Sequence, residues 1–250
     1  MEGGTNKLLS ILIPSRTRFD KLRECIDTFL SQLSPEQRAF TEFIIKLDSD
    51  DTESIRRIPE LPFAEIEIHV YVADKLQGYR DLYIFYNQCA RLAKGRYLMM
   101  WNDDAKFRTI NWFSIMLEEI RMSTGAASYW FAGTPTVVYT PGEAPREEDW
   151  PCFIAHHRVF YDIIGFYSHV GGVDSFLYYV LGPLGLLKKI QTIEVDHTAW
   201  FQIPENERDD TARNNAEDGQ MLPTDFNVVR QAQERIKSFA QRQAAAASKI

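Results

Sequence analysis

Hydrophobic positions in this chain switch between short unbroken runs and helical spacing. Leu8-Leu9-Ser10-Ile11-Leu12-Ile13 is nearly all apolar, which predicts a strand covered on both faces and ended by Pro14. Leu22, Cys25, Ile26, Phe29, Leu30 and Leu33 then recur at helical spacing, and Ser34-Pro35 ends that helix. Thr17 is placed as its N-cap, with Asp20 three residues on as a weak capping box. A second strand, Glu42 to Leu47, runs into the acidic cluster Asp48-Ser49-Asp50-Asp51. The third, Glu65 to Val72, alternates through Ile66, Ile68 and Val70, which places it nearer the sheet edge. A helix from about Tyr79 to Ala93 carries Leu82, Phe85, Tyr86, Cys89 and Leu92 on one face, with Gly95 as its C-cap. Leu98 to Trp101 is a fourth apolar run, and it stops abruptly at Asn102-Asp103-Asp104.

This alternation predicts an α/β fold: a mostly parallel central sheet with helices on both faces. The second half is less regular. Thr109 is set to cap a helix through Met122, with Trp112, Phe113, Met116, Leu117 and Ile120 inward. Strand-like pieces fall in Ser128 to Tyr139, and Thr140 to Pro151 is a loop rich in Pro and Glu. Cys152 to His156 is a strand candidate, Val159 to Gly165 and Ser175 to Leu181 are helix candidates, and Lys189 to Val195 is a last strand. Pro204 to Asp225 is polar with few apolar anchors, as expected of a flexible loop or a lid. Phe226 to Gln243 reads as a helix. The expected organisation is one domain over 1–203, a loop over 204–225 and a C-terminal helix over 226–250.

Composition changes the picture in three ways. With 250 residues, 45% hydrophobic, there is enough apolar surface for one substantial core. A formal net charge of -7 argues against a surface that grips nucleic acid throughout. Cys25, Cys89 and Cys152 are far apart and lack metal-type spacing, so reduced core thiols are expected. No apolar run is long enough to span a bilayer; the nearest, Phe176 to Leu187, is broken by Gly182-Pro183. The N-terminus has no signal-peptide character, so the expectation is a cytoplasmic protein without stable membrane insertion.

The chemistry concentrates at strand ends. In open α/β sheets the ligand crevice lies beyond the carboxyl ends of the strands. The hard oxygen ligands of Asn102-Asp103-Asp104 suit Mn²⁺ or Mg²⁺ there, and the cation suits a diphosphate. The plain alternative is a polar turn.

Four blocks in this order resemble the nucleotide-diphospho-sugar transferases of the GT-A fold, most of all the large inverting family of bacterial polysaccharide and chitin-type glycosyltransferases. They are Ile11-Leu12-Ile13-Pro14-Ser15-Arg16, Ile44 to Asp51, Tyr97 to Asp104, and Gly171-Gly172-Val173-Asp174; the resemblance covers roughly residues 8–200. It implies a Rossmann-like domain with a nucleotide-sugar half, about 1–105, and an acceptor half, about 106–203. By this resemblance the uridine sits at Pro14, Ser15 and Arg16. Asp48 or Asp50 accepts the uracil imide, and Arg80 lies near the base or the diphosphate. Asp104 binds the metal with Asp103 or Asn102 assisting, His197 is a further metal ligand, and Asp174 is the catalytic base. Of the other histidines, at most one of His156-His157 lines the acceptor side, since strand neighbours face opposite ways. Trp150, in a loop, is placed to stack on a sugar.

The sequence departs from the family pattern. The first carboxylate of the DxD motif is the amide Asn102, the acidic residue before the base is Val173, and the Gln-x-x-Arg-Trp motif of processive members is absent. The expected activity is therefore a non-processive, metal-dependent, inverting transfer from a UDP-sugar to a glycan, small-molecule or modified-nucleobase acceptor. Two alternatives stand beside it: a degenerate domain that binds a nucleotide sugar or partner without turnover, and a nucleotidyltransferase. The latter is disfavoured because no glycine-rich loop follows the first strand.

Overall fold

The computed structural model describes residues 7–76, 78–123, 125–132, 136–138, 146–148, 153–169, 172–197 and 224–247. The first half follows the predicted order. It runs β1 (Leu9–Ser15), α1 (Phe19–Gln32), α2 (Pro35–Ala39), β2 (Thr41–Asp48), α3 (Thr52–Arg56), β3 (Glu67–Ala73), α4 (Leu82–Leu92) and β4 (Tyr97–Met100). The second half supplies β5 (Lys106–Phe107), α5 (Trp112–Met122), β6 (Ser128–Ala132), β7 (Thr136–Val138), β8 (Arg146–Glu148), β9 (Phe153–His157), α6 (Arg158–Ile164), α7 (Val173–Leu181), β10 (Leu187–Asp196) and α8 (Phe226–Ala247).

Eight strands form one sheet in the order β3-β2-β1-β4-β9-β6-β10-β5. The first four strands are parallel, with β1 flanked by β2 and β4 and β3 outermost, as the alternation in β3 predicts. Strand β9 inserts antiparallel between β4 and β6, and β10 returns parallel to β6, so the sheet is mixed overall. This brings the carboxyl ends of β1, β2, β3, β4 and β10 to one edge. Strands β7 and β8 pair separately; β7 falls in the stretch expected to hold strand-like pieces, and β8 inside the stretch expected to be loop. Positions 204–223, expected to be a loop or lid, lie outside the described residues, as do Cys152 and Trp150. Among the described residues no helix is long and apolar enough to cross a membrane.

Strand alternation splits the core into two layers. Leu9, Ile11, Ile13, Phe43 and Ile45 face α1 and α5. Leu12, Ile44, Leu98 and Met100 face α4, α6, α7 and α8. Cys25 and Cys89 are free, buried thiols in these two layers, as expected. Phe29 is the hub of the first layer, meeting Phe43, Trp101, Phe107 and Trp112 edge-on at 5.3–5.6 Å.

Several local expectations are corrected. Strand β1 continues through Pro14, because its pairing with β4 has ended at Leu12 and little ladder bonding is lost. Ser34-Pro35 does not simply stop a helix: Ser34 and Gln37 form a capping box that starts α2. Thr109 is not a cap; its hydroxyl bonds the Thr192 carbonyl across to β10, and α5 begins after Asn111. Leu92 is exposed rather than inward. Gly95 caps nothing, since α4 ends at Ala93. A Cβ at Gly95 would lie 2.5 Å from the Ser10 backbone nitrogen, so the glycine is required by close packing of the chain against β1.

His156 and His157 lie towards the amino end of β4, opposite Leu98 and Tyr97. His157 pairs with Tyr97 at the amino end of β4, away from the acidic turn. His156 is fully buried; its Nδ1–H donates to the His157 carbonyl at 3.2 Å and its Nε2 accepts from Tyr167 Oη at 2.5 Å. Burial pushes its pKa down from 6.5 to about 4. Between those values the unfolded chain takes up a proton that the native chain refuses, so stability falls as the pH drops through that window. The full effect is on the order of 3 kcal/mol. Urea unfolding at pH 7 and pH 4.5 is expected to show this loss, and His156→Gln, which can serve the same two partners, is expected to flatten it. An unchanged pH slope in the variant would place the acid sensitivity elsewhere.

Candidate active site

The acidic turn is fastened from both layers. The Trp101 ring is packed against Phe29, Phe107 and Phe153, and its indole N–H donates to the Ala105 carbonyl at 3.1 Å. Tyr86, on the opposite layer, donates to the Trp101 carbonyl at 3.0 Å. Ala105 N–H closes the turn on the Asn102 carbonyl at 3.2 Å. Residues 102–104 are thus held at a fixed place beyond β4.

Arg18, which the sequence reading passed over, organises the centre. Its guanidinium bridges both carboxylates of the turn, with Nη1 2.9 Å from Asp103 Oδ1 and Nη2 on Asp104 Oδ2. Ser15, at the end of β1, donates to Asp103 Oδ2 at 2.6 Å. Arg18 reaches the turn because the chain bends sharply before α1. Thr17 takes a left-handed φ of 54°, and its N–H is anchored on Asp51 Oδ2 at 2.7 Å. Arg18 therefore stands as the N-cap in the position expected for Thr17, without a capping side-chain bond. Asp103 is buried, and desolvation raises its carboxyl pKa to about 6 against the opposing pull of Arg18.

Asp104 uses its second oxygen differently. Oδ1 lies 3.5 Å from His197 Nε2, and Asn102 Nδ2 lies 3.2 Å from the same nitrogen. His197 follows β10 and rests edge-on against Phe153. Burial lowers its pKa despite the neighbouring Asp104 carboxylate, which favours the neutral imidazole, the form that binds metals. Two ligands of one divalent ion with bonds near 2.1 Å stand about 3–3.5 Å apart, so the Asp104 and His197 donors fit such an ion. Arg18 need not move for this, because it holds the other Asp104 oxygen.

A second group surrounds Asp48. Arg16 Nη1 contacts Asp48 Oδ2 at 2.8 Å and grips Asp50 through both terminal nitrogens at 2.7 and 3.0 Å. Lys46 Nζ holds the other Asp48 oxygen and lies 3.4 Å from the centre of the Phe85 ring. Asp48 is buried and Asp50 half-exposed. A carboxylate oxygen can accept more than one bond, so Asp48 retains capacity for a further donor. Lys46 was legible as a charge following the apolar run Phe43-Ile44-Ile45; Arg18 had no such local signal.

No protein-family model matches the sequence, and no curated protein sequence does. Solved structures do match. A mannosyltransferase from Pyrobaculum calidifontis, PcManGT, in complex with GDP-Man and Mn²⁺, is 12% identical with a TM-score of 0.58, over 95% of this chain and 75% of that one. S. aureus TarS 1–349 is 11% identical with a TM-score of 0.56, over 83% of this chain and 68% of that one. TarS in complex with UDP gives 10% identity and a TM-score of 0.55, over 90% and 69%. The chain has the GT-A fold.

On this GT-A sheet, Ser15, Arg16, Asp48, Asp50, Asn102, Asp103, Asp104 and His197 all gather at one carboxyl edge, with the half-buried Pro14 just beneath them in β1. Arg80 stands exposed on a 3₁₀ turn after β3. Asp174 lies in the first turn of α7, half-buried. It is not the N-cap there: Gly172 holds that position.

Proposed function

We propose that this protein is a metal-dependent inverting glycosyltransferase that moves a sugar from a UDP-sugar to an acceptor hydroxyl. The observation that carries this is the meeting of Asp104 Oδ1 and His197 Nε2 at 3.5 Å on the carboxyl edge of a GT-A sheet. The structural likeness to proteins solved with UDP and with GDP-Man and Mn²⁺ supports it. Asp104 and His197 would hold Mn²⁺ or Mg²⁺, with the Asn102 amide oxygen as a third donor if the amide is turned over. Such an ion supplies Lewis-acid neutralisation of the departing diphosphate. Imidazole in the set favours Mn²⁺.

The chain's own residues do the rest. Arg18 and Ser15 fix Asp103 and keep the turn rigid. Pro14, Ser15 and Arg16 flank the nucleoside, and Asp48, or Asp50, receives the base N–H. Arg80 lies on the side of the nucleobase or the diphosphate. Asp174 removes the proton from the acceptor hydroxyl as that oxygen attacks the anomeric carbon opposite the diphosphate. The acceptor would be a glycan, a small molecule or a modified nucleobase.

Asp104→Ala is expected to weaken Mn²⁺-dependent UDP binding by about 2 kcal/mol or more, roughly 30-fold, with the fold intact. Asn102→Ala is expected to do less. Calorimetric titration of UDP with and without Mn²⁺ measures both; undiminished metal-dependent affinity in Asp104→Ala would remove the metal role assigned to this residue. One observation favours a second reading, a domain that binds a nucleotide sugar without turnover: Arg18 already pairs with both acidic side chains of the turn. Release of UDP from UDP-sugars with Mn²⁺ present distinguishes the two.

A further inference from the structure

We propose that Glu42, Glu67 and His69 form a second divalent-cation site, suited to Zn²⁺, at the amino edge of the sheet. Glu42 opens β2 while Asp48 closes it, so about 20 Å of strand separates this site from the one above. The register builds it. Ser10, Glu42 and Glu67 are direct partners across β1, β2 and β3, and His69 lies two residues along β3 on the same face. One Nε2 and two carboxylate oxygens come within 4.8 Å of one another.

The second observation is the state of Glu42. The residue is fully buried. Its Oε1 is saturated, accepting Ser10 Oγ and the Lys94 backbone N–H, each at 2.5 Å. Its Oε2 is buried, has no hydrogen-bond donor among the described residues, and faces His69 Nε2 at 3.5 Å. A buried carboxylate oxygen with no partner is costly. The distance is too long for a hydrogen bond and right for two ligands on one tetrahedral ion. Glu67 Oε1 lies 2.7 Å from the same nitrogen, a hydrogen bond that opens by less than about 1 Å when a metal replaces the proton. His69 is 40% exposed, which leaves an entry path and a position for water.

Two cations compete. Lys7 and Lys94 contact Glu67 at 3.0 and 2.9 Å. Lys94 is the more exposed and would swing out as the metal enters. The bound ion would tie β3, the outermost strand, to β2.

The test titrates Zn²⁺ alone into the full chain carrying Asp104→Ala, which disables the other proposed metal site. One equivalent is expected to bind. Adding His69→Ala, at a half-exposed position that tolerates truncation, is expected to weaken binding more than about 100-fold, beyond the ~10–100-fold that losing an outer-shell partner costs. Adding Lys94→Met instead is expected to tighten it. No binding to the Asp104→Ala chain, an affinity indifferent to His69→Ala, or weaker binding in Lys94→Met would each overturn the proposal. The UDP titration above is read separately, so failure here leaves the glycosyltransferase reading untouched.

Discussion

Arg18→Met is expected to cost about 3–5 kcal/mol of folding stability, the range seen when one partner of a buried ion pair is removed. The side chains of Arg18 and Asp103 are only 12% and 5% exposed, so neither is screened by water as a surface pair would be. Methionine fills similar space and leaves Asp103 with Ser15 as its remaining bonded partner. A buried carboxylate so placed must either stay charged at a high cost or take a proton. The cost should therefore be relieved by removing the charge itself. Asp103→Asn added to Arg18→Met is expected to recover most of the loss, because the amide oxygen still accepts from Ser15. Urea unfolding of the two single variants and the double variant gives the coupling directly. A loss below about 1 kcal/mol in Arg18→Met would put the pair in the class of exposed salt bridges, and Arg18 would lose its organising role.

The placement of Arg18 also shows where sequence reading stops. Strands β1, β2 and β4 were legible because each holds a consecutive apolar stretch, and a stretch buried on both faces has few alternatives. The acidic strand ends were legible for the same reason: carboxylates directly after such runs must lie at the sheet edge. Two helix starts, those placed at Thr17 and Thr109, were not. Thr17 and Thr109 both satisfy the local capping pattern, yet Thr17 is drawn into a left-handed turn by Asp51, and the Thr109 hydroxyl is taken by Thr192. In each case the competing partner is far away in sequence. Arg18 and Asp104 are separated by 86 positions, and no periodicity encodes a pairing of that kind. Only the family resemblance over residues 8–200 joins Asp104 with His197, and the sheet order supplies the physical reason: β10 runs parallel to β1–β4 and delivers its end to the same edge. Glu42 carried no signal, because a glutamate at a strand start reads as an ordinary solvated residue.

Asp174→Asn is expected to lower the transfer rate by about 10²–10⁴-fold while leaving UDP-sugar binding in place. A helix-start aspartate is ordinarily explained as a cap, which would make this a stability position. Here Gly172 is the N-cap and Asp174 lies inside the first turn, so a capping bond is not its function. Its negative charge near the helix N-terminus contributes about 0.3–1 kcal/mol to stability. Asparagine is nearly isosteric, so a half-buried position accommodates it, but it cannot take a proton from the acceptor. The two roles thus predict different readouts: a base role moves the rate by orders of magnitude with a small change in melting temperature, and a purely structural role does the reverse. Single displacement also fixes stereochemistry, since attack opposite the diphosphate inverts the anomeric carbon. Rate, melting temperature and the anomeric configuration of the product together decide the matter. An Asp174→Asn protein of normal activity would move the base to another residue, and a product of retained configuration would exclude a single displacement altogether.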